Sequence, residues 1–322
     1  MKIQLKKIIK LLIATVCIIY LVRFFWTNTD SLKLLAKINI FALVLLGVLS
    51  AGYILLYSYR FQLILEKCSG QKLPFFPWLK ILVLGRFLNM VFSQLGTVYR
   101  GVSLKRNHNI SYTSYISGFA SFAWMDTCMN MIIAIIVILL IRPDLKIGQF
   151  SALKVTIYLC SLVILAPLIA HIILQKIKFK KQSLAWLRSK LAEVLTTTIH
   201  NLRDGVYLTK IVILGMLVFA ETILSFYILF ASFGIKLDLA TLTVFFVLLK
   251  LSVFINITPG NIGIQEVAYG FLSEQMGIGM AQGILASVVA RLLSSLVVFV
   301  LGLMFGGAEL LRHRKEYRNS LE

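Results

Sequence analysis

Acidic residues are scarce in this chain: 13 Asp and Glu stand against 33 Lys and Arg. Charged residues of both signs make up only 14% of the 322 positions, while 59% are hydrophobic. That balance leaves no polar block long enough for an independent soluble enzymatic domain. Cysteine is equally sparse, with Cys17, Cys68, Cys128 and Cys160 scattered and no CxxC pair. Neither a disulfide framework nor a zinc site follows from them. The histidines (His108, His171, His200, His313) never fall at metal-ligand spacing, so no metal and no cofactor is expected. The basic, then apolar N-terminus resembles a signal peptide, but Phe25-Trp26-Thr27 lacks the small residues of a cleavage site. It is therefore expected to be an uncleaved first span.

Long apolar runs are what the chain does have. Several extend for about 20 residues with almost no charge, the length that crosses a hydrocarbon core. The net charge of +20 would suit nucleic acid if it were spread along the chain. Instead the basic residues gather in short loops beside the apolar runs, as the positive-inside rule expects, where they face anionic headgroups. Membrane lipids, not nucleic acid, are the expected partners. The asymmetry places both termini on the cytoplasmic side of a multi-pass protein in the cell (inner) membrane.

The expected fold class is all-α, a polytopic integral membrane protein in one domain over 1–322. It should hold about six full transmembrane helices plus two inverted re-entrant or broken-helix elements. The full spans are expected at about Ile8–Phe25, Ile38–Tyr59, Ser111–Ile141, Ser151–Leu174, Ile211–Phe233 and Met280–Phe305. Arg60 then opens a cytoplasmic loop, and Ser111 caps the helix that follows it. Residues 183–203 place Leu184, Leu187, Leu191, Val194, Leu195, Ile199 and Leu202 at helical spacing. That segment reads as an amphipathic helix on the cytoplasmic face or against the underside of the bundle.

The two re-entrant elements are expected at 78–99 and 239–276. The first is apolar but carries Lys80, Arg86 and Asn89 and has basic clusters at both ends, which suits a hairpin dipping from the cytoplasm. The second contains Thr258-Pro259-Gly260-Asn261-Ile262-Gly263-Ile264-Gln265-Glu266. Pro259 removes a helix donor and pushes Thr258 out of the α region, and Gly260 and Gly263 permit shapes closed to other residues. A helix entering at 251–257 should break there and restart near Ile264. In a bilayer such a break is tolerated where protein packs it or a wet cavity borders it. Matching Gly96 to Gly263 aligns Phe92-Ser93-Gln94-Leu95-Gly96 with Pro259-Gly260-Asn261-Ile262-Gly263, a faint inverted repeat.

Charges also fall where lipid should be: Arg86, Lys250 and Arg291, with Asp126, Glu221 and Glu266. Each unpaired charge at mid-bilayer costs roughly 2.5–3.5 kcal/mol, so these groups must pair, reach an interface or face water. One account makes them structural ion pairs, Arg291 with Glu266 foremost. The other makes them a polar chamber for a charged headgroup, with Arg86, Arg100, Lys250 and Arg291 as anion contacts. Gly302-x-x-x-Gly306 is expected to serve packing within the chain.

The segment Pro259–Glu266, followed by Ala290-Arg291-Leu292-Leu293, resembles the PGGIGxxE … R signature of the lysylphosphatidylglycerol synthase transmembrane-region family, which is flippase-like. The family's first motif, approximately PGxxGExxR, survives only as Gly96 and Arg100, with Phe92, Ser93 and Thr97 replacing Pro, the first Gly and Glu. Losing that Glu tells against a mechanism needing an acid in both halves. Asp126 falls where the family carries an aspartate. The resemblance implies the lipid-handling module without the aminoacyl-transferase domain, hence no enzyme activity. Together with the charges inside the apolar runs, it makes Arg86, Arg100, Asp126, Lys250, Pro259, Gly260, Asn261, Gly263, Glu266 and Arg291 the expected substrate-binding set. The implied function is binding, and translocation, of a lipid with an anionic or sugar-phosphate headgroup. The alternative is a non-transporting membrane partner of a glycosyltransferase or cell-envelope assembly enzyme. A lipid-linked saccharide or an envelope-synthesis enzyme is the further expected partner, and oligomeric state stays open.

Overall fold

The computed structural model describes residues 33–91, 94–176, 204–252 and 261–319, with a few isolated positions besides. The expected first span, most of the amphipathic segment 183–203, and Pro259 and Gly260 lie outside the described residues. The described helices are α1 (Ile40–Ser69), α2 (Phe75–Val91), α3 (Leu95–His108), α4 (Tyr112–Ile141), α5 (Ala152–Lys176), α6 (Gly205–Ser232), α7 (Leu239–Ser252), α8 (Ile264–Gln275) and α9 (Met280–Asn319). A two-stranded ribbon, β1 (Lys146–Ile147) with β2 (Phe150–Ser151), joins α4 to α5. Four helices are long and apolar enough to cross a membrane (α1, α4, α6, and α9 over Met280–Gly306), and the first 16 residues of α5 form a shorter apolar helix. The fold is all-α and polytopic, as expected.

Two of the expected bounds change. The Tyr59-Arg60 junction does not end the second span: α1 runs on to Ser69, and Arg60 is 1% exposed. The apolar period continues through it in the fully buried Phe61, Ile64 and Leu65, and that burial outweighs the boundary a lone cation suggests. The first hairpin is also longer than 78–99, since α2 starts at Phe75 and α3 reaches His108. Its basic close, Lys105, Arg106 and His108, lies within the last turn of α3, where cations meet the negative helix end.

Capping side chains set the helix starts. Asn39 accepts from the Phe41 amide at 3.0 Å, Ser111 from Ser114 at 3.0 Å and Asp204 from Tyr207 at 3.1 Å. The α1 end is closed by Gly70 at φ 68°, whose N–H reaches Glu66 O at 2.8 Å. That left-handed closure is one glycine adopts without strain.

The two halves repeat one pattern: long helix, broken hairpin, long helix. It runs α1, α2–α3, α4 and again α6, α7–α8, α9. The long helices α1 and α6 pack against each other, and each hairpin reaches into the other half, α2 against α9 and α7 against α4. At 1.5 Å per residue the hairpin arms are about 18–25 Å long, short of a hydrocarbon core of about 30 Å. They open at opposite ends of the bundle. The first hairpin's ends lie beside the C-terminus of α1, where Gln62 Nε2 donates to Leu73 O at 2.5 Å. The second is fastened beyond the far end of α4, where Arg142 pairs with Asp238 at 3.0 Å and Gly148 N donates to Gln275 O at 2.9 Å.

The faint sequence repeat has a backbone counterpart. Gln94 (φ 68°) and Asn261 (φ 55°), the positions matched by aligning Gly96 with Gly263, are both left-handed, which is uncommon outside glycine.

Each half has an aromatic core. One joins Phe61, Trp78, Tyr115 and Phe122, with Trp78 Nε1 donating to Ser58 O at 2.8 Å; the other joins Phe226, Phe230, Phe245 and Tyr269. Outward, Leu292, Leu296, Phe299 and Leu303 form an exposed apolar stripe along α9, the surface a lipid-facing helix presents. On its inner side, a Cβ at Gly302 would meet the Phe87 side chain at 3.2 Å, and one at Gly306 would meet Leu84 at 3.6 Å. That glycine pair serves packing of α9 against α2, within the chain.

Candidate functional site

The ion pairs within the spans form two clusters. In the first, Asp126 of α4 takes Arg60 of α1 on Oδ1 and Lys250 of α7 on Oδ2. One carboxylate thus joins three helices from both halves. Asn130, one turn on, donates to the Asp126 backbone carbonyl at 2.5 Å. The Arg60 guanidinium stands 5.4 Å from the Phe122 ring centroid and occupies room left by Gly215 of α6. Burial on this scale is tolerable only because the charges are paired; removing one partner of such a set is the expensive change.

Beside that cluster, Arg86 of α2 lies over two rings of α1, at 4.6 Å from the Tyr57 centroid and 5.5 Å from that of Tyr53. Tyr53 and Tyr57, one turn apart, have centroids 5.7 Å apart. Among the described residues no carboxylate pairs with Arg86, and the electron-rich ring faces supply compensation. Tyr53 is also within electrostatic range of Asp126 and of Glu221 on α6.

In the second cluster, Glu266 sits in the first turn of α8, 2% exposed. Its Oε2 accepts from Gly263 N at 2.6 Å and its Oε1 from Arg291 Nε at 2.5 Å. Arg291 Nη2 reaches Asn261 O at 3.2 Å and Gln265 Oε1 at 3.0 Å. The expected Arg291–Glu266 pair is therefore present, and it ties α9 to the restart of the broken helix. Gly263, at φ 86°, is the N-cap of α8, a conformation side chains resist.

The first hairpin closes differently. Gly96 N donates to Asn89 Oδ1 at 2.7 Å, so an amide stands where the second hairpin has a carboxylate. A Cβ at Gly96 would overlap the Gly85 carbonyl, and one at Gly85 would meet Arg100 Cγ at 2.8 Å. Arg100 lies in this close approach, 6% exposed, with Nε donating to Gly96 O at 3.2 Å and Nη2 to Thr97 Oγ1 at 3.3 Å.

Of the expected set, Asp126 and Lys250 meet in one cluster, Asn261, Gly263, Glu266 and Arg291 in the other, Arg86 borders the first, and Arg100 braces the first hairpin. Sequence reasoning missed Arg60, Tyr53 and Tyr57. Phe61, Ile64 and Leu65 continuing the period past Arg60, and two tyrosines four residues apart in an apolar run, were the signals available. Among the described residues, no group of three or more His, Cys, Asp or Glu could hold a metal ion.

Charge pairs that tie the second hairpin to the long helices α1, α4 and α9 inside an apolar bundle, with the two hairpins opening at opposite ends, define a polytopic α-helical membrane protein built on two inverted broken-helix elements. The family model for the lysylphosphatidylglycerol synthase TM region matches residues 7–302, and the chain belongs to that family. Searches of curated proteins and of solved structures returned no match.

Proposed function

We propose that this protein binds a lipid through an anionic or sugar-phosphate headgroup and passes it between leaflets of the inner membrane, with both termini cytoplasmic and without catalysing a chemical step. The observation that carries this reading is an asymmetry of exposure within the ion pairs. Lys250 keeps 25% of its side chain accessible while Asp126 keeps 9%, and Arg291 keeps 23% while Glu266 keeps 3%. In these two pairs the acid is sealed and the cation retains an open face, whereas Arg60, the other partner of Asp126, is itself sealed. With Arg86, whose charge tyrosine rings offset among the described residues, the accessible charged groups of this region are predominantly positive. Phosphate oxygens would complete the hydrogen bonding of such cations. Inverted broken hairpins are a recurrent frame for alternating access around a midplane site.

The test uses purified protein in liposomes carrying a fluorescent anionic lipid, with a zwitterionic analogue as comparison. Binding is read by quenching and translocation by dithionite access. Arg86→Gln and Lys250→Gln should each weaken anionic-lipid binding roughly tenfold, the order of one charge-assisted contact. Equal binding by parent and variants would sink the reading. Binding without translocation would favour the non-transporting partner of a glycosyltransferase or envelope-assembly enzyme.

A further inference from the structure

We infer that Glu221 is a proton-binding site, neutral at rest, that exchanges its proton with water and couples the lipid movement proposed above to a proton gradient. Of the acids within the apolar stretches, away from the helix ends at Glu66 and Glu274, two are committed: Asp126 to Arg60 and Lys250, Glu266 to Arg291. Glu221 is not. It sits near the middle of α6 (Gly205–Ser232), half-buried, and its hydrogen-bond contacts are the hydroxyls of Ser225 at 2.9 Å and Thr222 at 3.4 Å.

The partners of the acid are neutral hydroxyls. Thr222 Oγ1 donates to Val218 O at 2.8 Å, the normal back-bond of a helical threonine, and stands 3.4 Å from Glu221 Oε2, while Ser225 donates to Oε1 at 2.9 Å. Hydroxyls alone leave an ionised carboxyl with the cost of a charge at bilayer depth, a cost the protonated acid avoids.

The surroundings support exchange. Helix α6 packs against α1, α7, α4 and α9. The charged groups those helices bring inward are Arg60, Lys250 and Asp126, bound to one another, and Arg291, bound to Glu266. None of them pairs with Glu221. The titratable group that senses Glu221 from across the interface is Tyr53 of α1, which also borders Arg86. Through Tyr53 the acid is within electrostatic reach of the Arg86 side of the proposed headgroup site. On exchange the Oε2–H bond breaks and the proton passes to water as hydronium. The carboxylate left behind keeps the Ser225 hydrogen bond, and reprotonation is the reverse.

Two measurements test this. Infrared spectra of the protein in nanodiscs near pH 7 should show the carbonyl stretch of a protonated carboxyl that Glu221→Gln removes. Glu221→Gln is isosteric and folds if the site is neutral; Glu221→Asp should keep a shifted band. In proteoliposomes, a gradient of one pH unit should change the parent's lipid translocation by up to about tenfold per coupled proton, and Glu221→Gln should be insensitive to it. An unchanged band in Glu221→Gln overturns the proton site. A gradient response in Glu221→Gln equal to the parent's overturns the coupling. If neither protein moves lipid, the transport reading and the coupling fail together, and the infrared band alone decides whether Glu221 holds the proton.

Discussion

A Cβ placed on Gly215 would stand 3.0 Å from the guanidinium carbon of Arg60 and overlap the end of Met129. Helix α6 thus gives up a side chain where α1 carries its buried cation, and the fit is specific to that one turn. Gly215→Val should displace Arg60 from Asp126 and destabilise the protein by about 1–3 kcal/mol, the usual cost of overpacking. Gly52→Ala, where nothing lies within 4 Å, should be neutral or slightly stabilising. Melting temperatures in one detergent decide this. If both variants melt like the parent, the close fit at Gly215 contributes nothing to stability.

The three-way cluster predicts an order among its variants. Lys250→Met leaves Arg60 and Asp126 as a neutral pair, so its effect on stability should be small. Asp126→Asn strands Arg60 and Lys250 as unpaired cations and should cost about 3–5 kcal/mol. Adding Lys250→Met to Asp126→Asn should recover part of that loss, a non-additivity that a double-mutant cycle measures. Equal and additive losses for the two single changes would mean that Asp126 does not hold both cations.

How much of this was legible in the sequence depends on the kind of signal. The helix restart is written locally, in Gly263 and in the Gly96 motif, because backbone chemistry acts within a few residues. The spans were legible for the same reason, since length and polarity are local sums. Arg60 was not: a cation at the end of an apolar run looks like a membrane boundary until Asp126 and Gly215, far off in sequence, are seen beside it. Nor could the sequence distinguish the acids. Asp126, Glu221 and Glu266 are alike as letters, and only packing shows that two are paired with cations while the third meets hydroxyls.

Acid should loosen the open end of the second hairpin. Burial alone would raise the carboxyl of Asp238, but the Thr241 amide at 2.9 Å, the Thr241 hydroxyl at 2.7 Å and Arg142 at 3.0 Å outweigh it and hold the group below its ordinary value of 3.8. A carboxylate whose pKa is lowered on folding stabilises the fold above the unfolded value. That contribution disappears as pH falls from 3.8 through the folded value. Amide exchange in the first turn of α7 should therefore accelerate below about pH 4. Asp238→Asn should exchange at the faster rate at neutral pH and lose the pH dependence. Parent and variant responding to acid alike would remove Asp238 as the cause.

Topology can be checked at exposed positions on the two ends of the bundle. Single cysteines at Gln71 and Asn107, beside the ends of α1 and α3, should react with an impermeant thiol reagent only from one side. Those at Asp144 and Lys236, beyond the far ends of α4 and α6, should react only from the other; all four sites are exposed. The basic loops assign the first pair to the cytoplasm. Labelling of Asn107→Cys from the same side as Asp144→Cys would mean that the first hairpin crosses fully instead of returning.

Glu266 is the residue on which site and scaffold coincide. Glu266→Gln removes the charge while matching the size of the side chain. The geometry argues for a structural penalty as well. One carboxylate oxygen accepts from the Gly263 amide and the other from Arg291. Glutamine has a single acceptor oxygen, so one of these donors must face an NH2 group and lose its bond. A buried, charge-assisted hydrogen bond is worth about 1.5–3 kcal/mol, and Glu266→Gln should lower stability by that order. Arg291→Gln should cost a similar amount by leaving Glu266 charged and half satisfied. The double variant should lose less than the sum, with a coupling of about 0.5–3 kcal/mol. Gly263→Ala should destabilise by a separate route, since φ of 86° strains any side chain, and its effect should add to that of Arg291→Gln. Melting temperatures of all five proteins in the same detergent are the measurement. Strict additivity between Glu266→Gln and Arg291→Gln would show that the pair does not act as a unit and that α9 holds the break by packing alone.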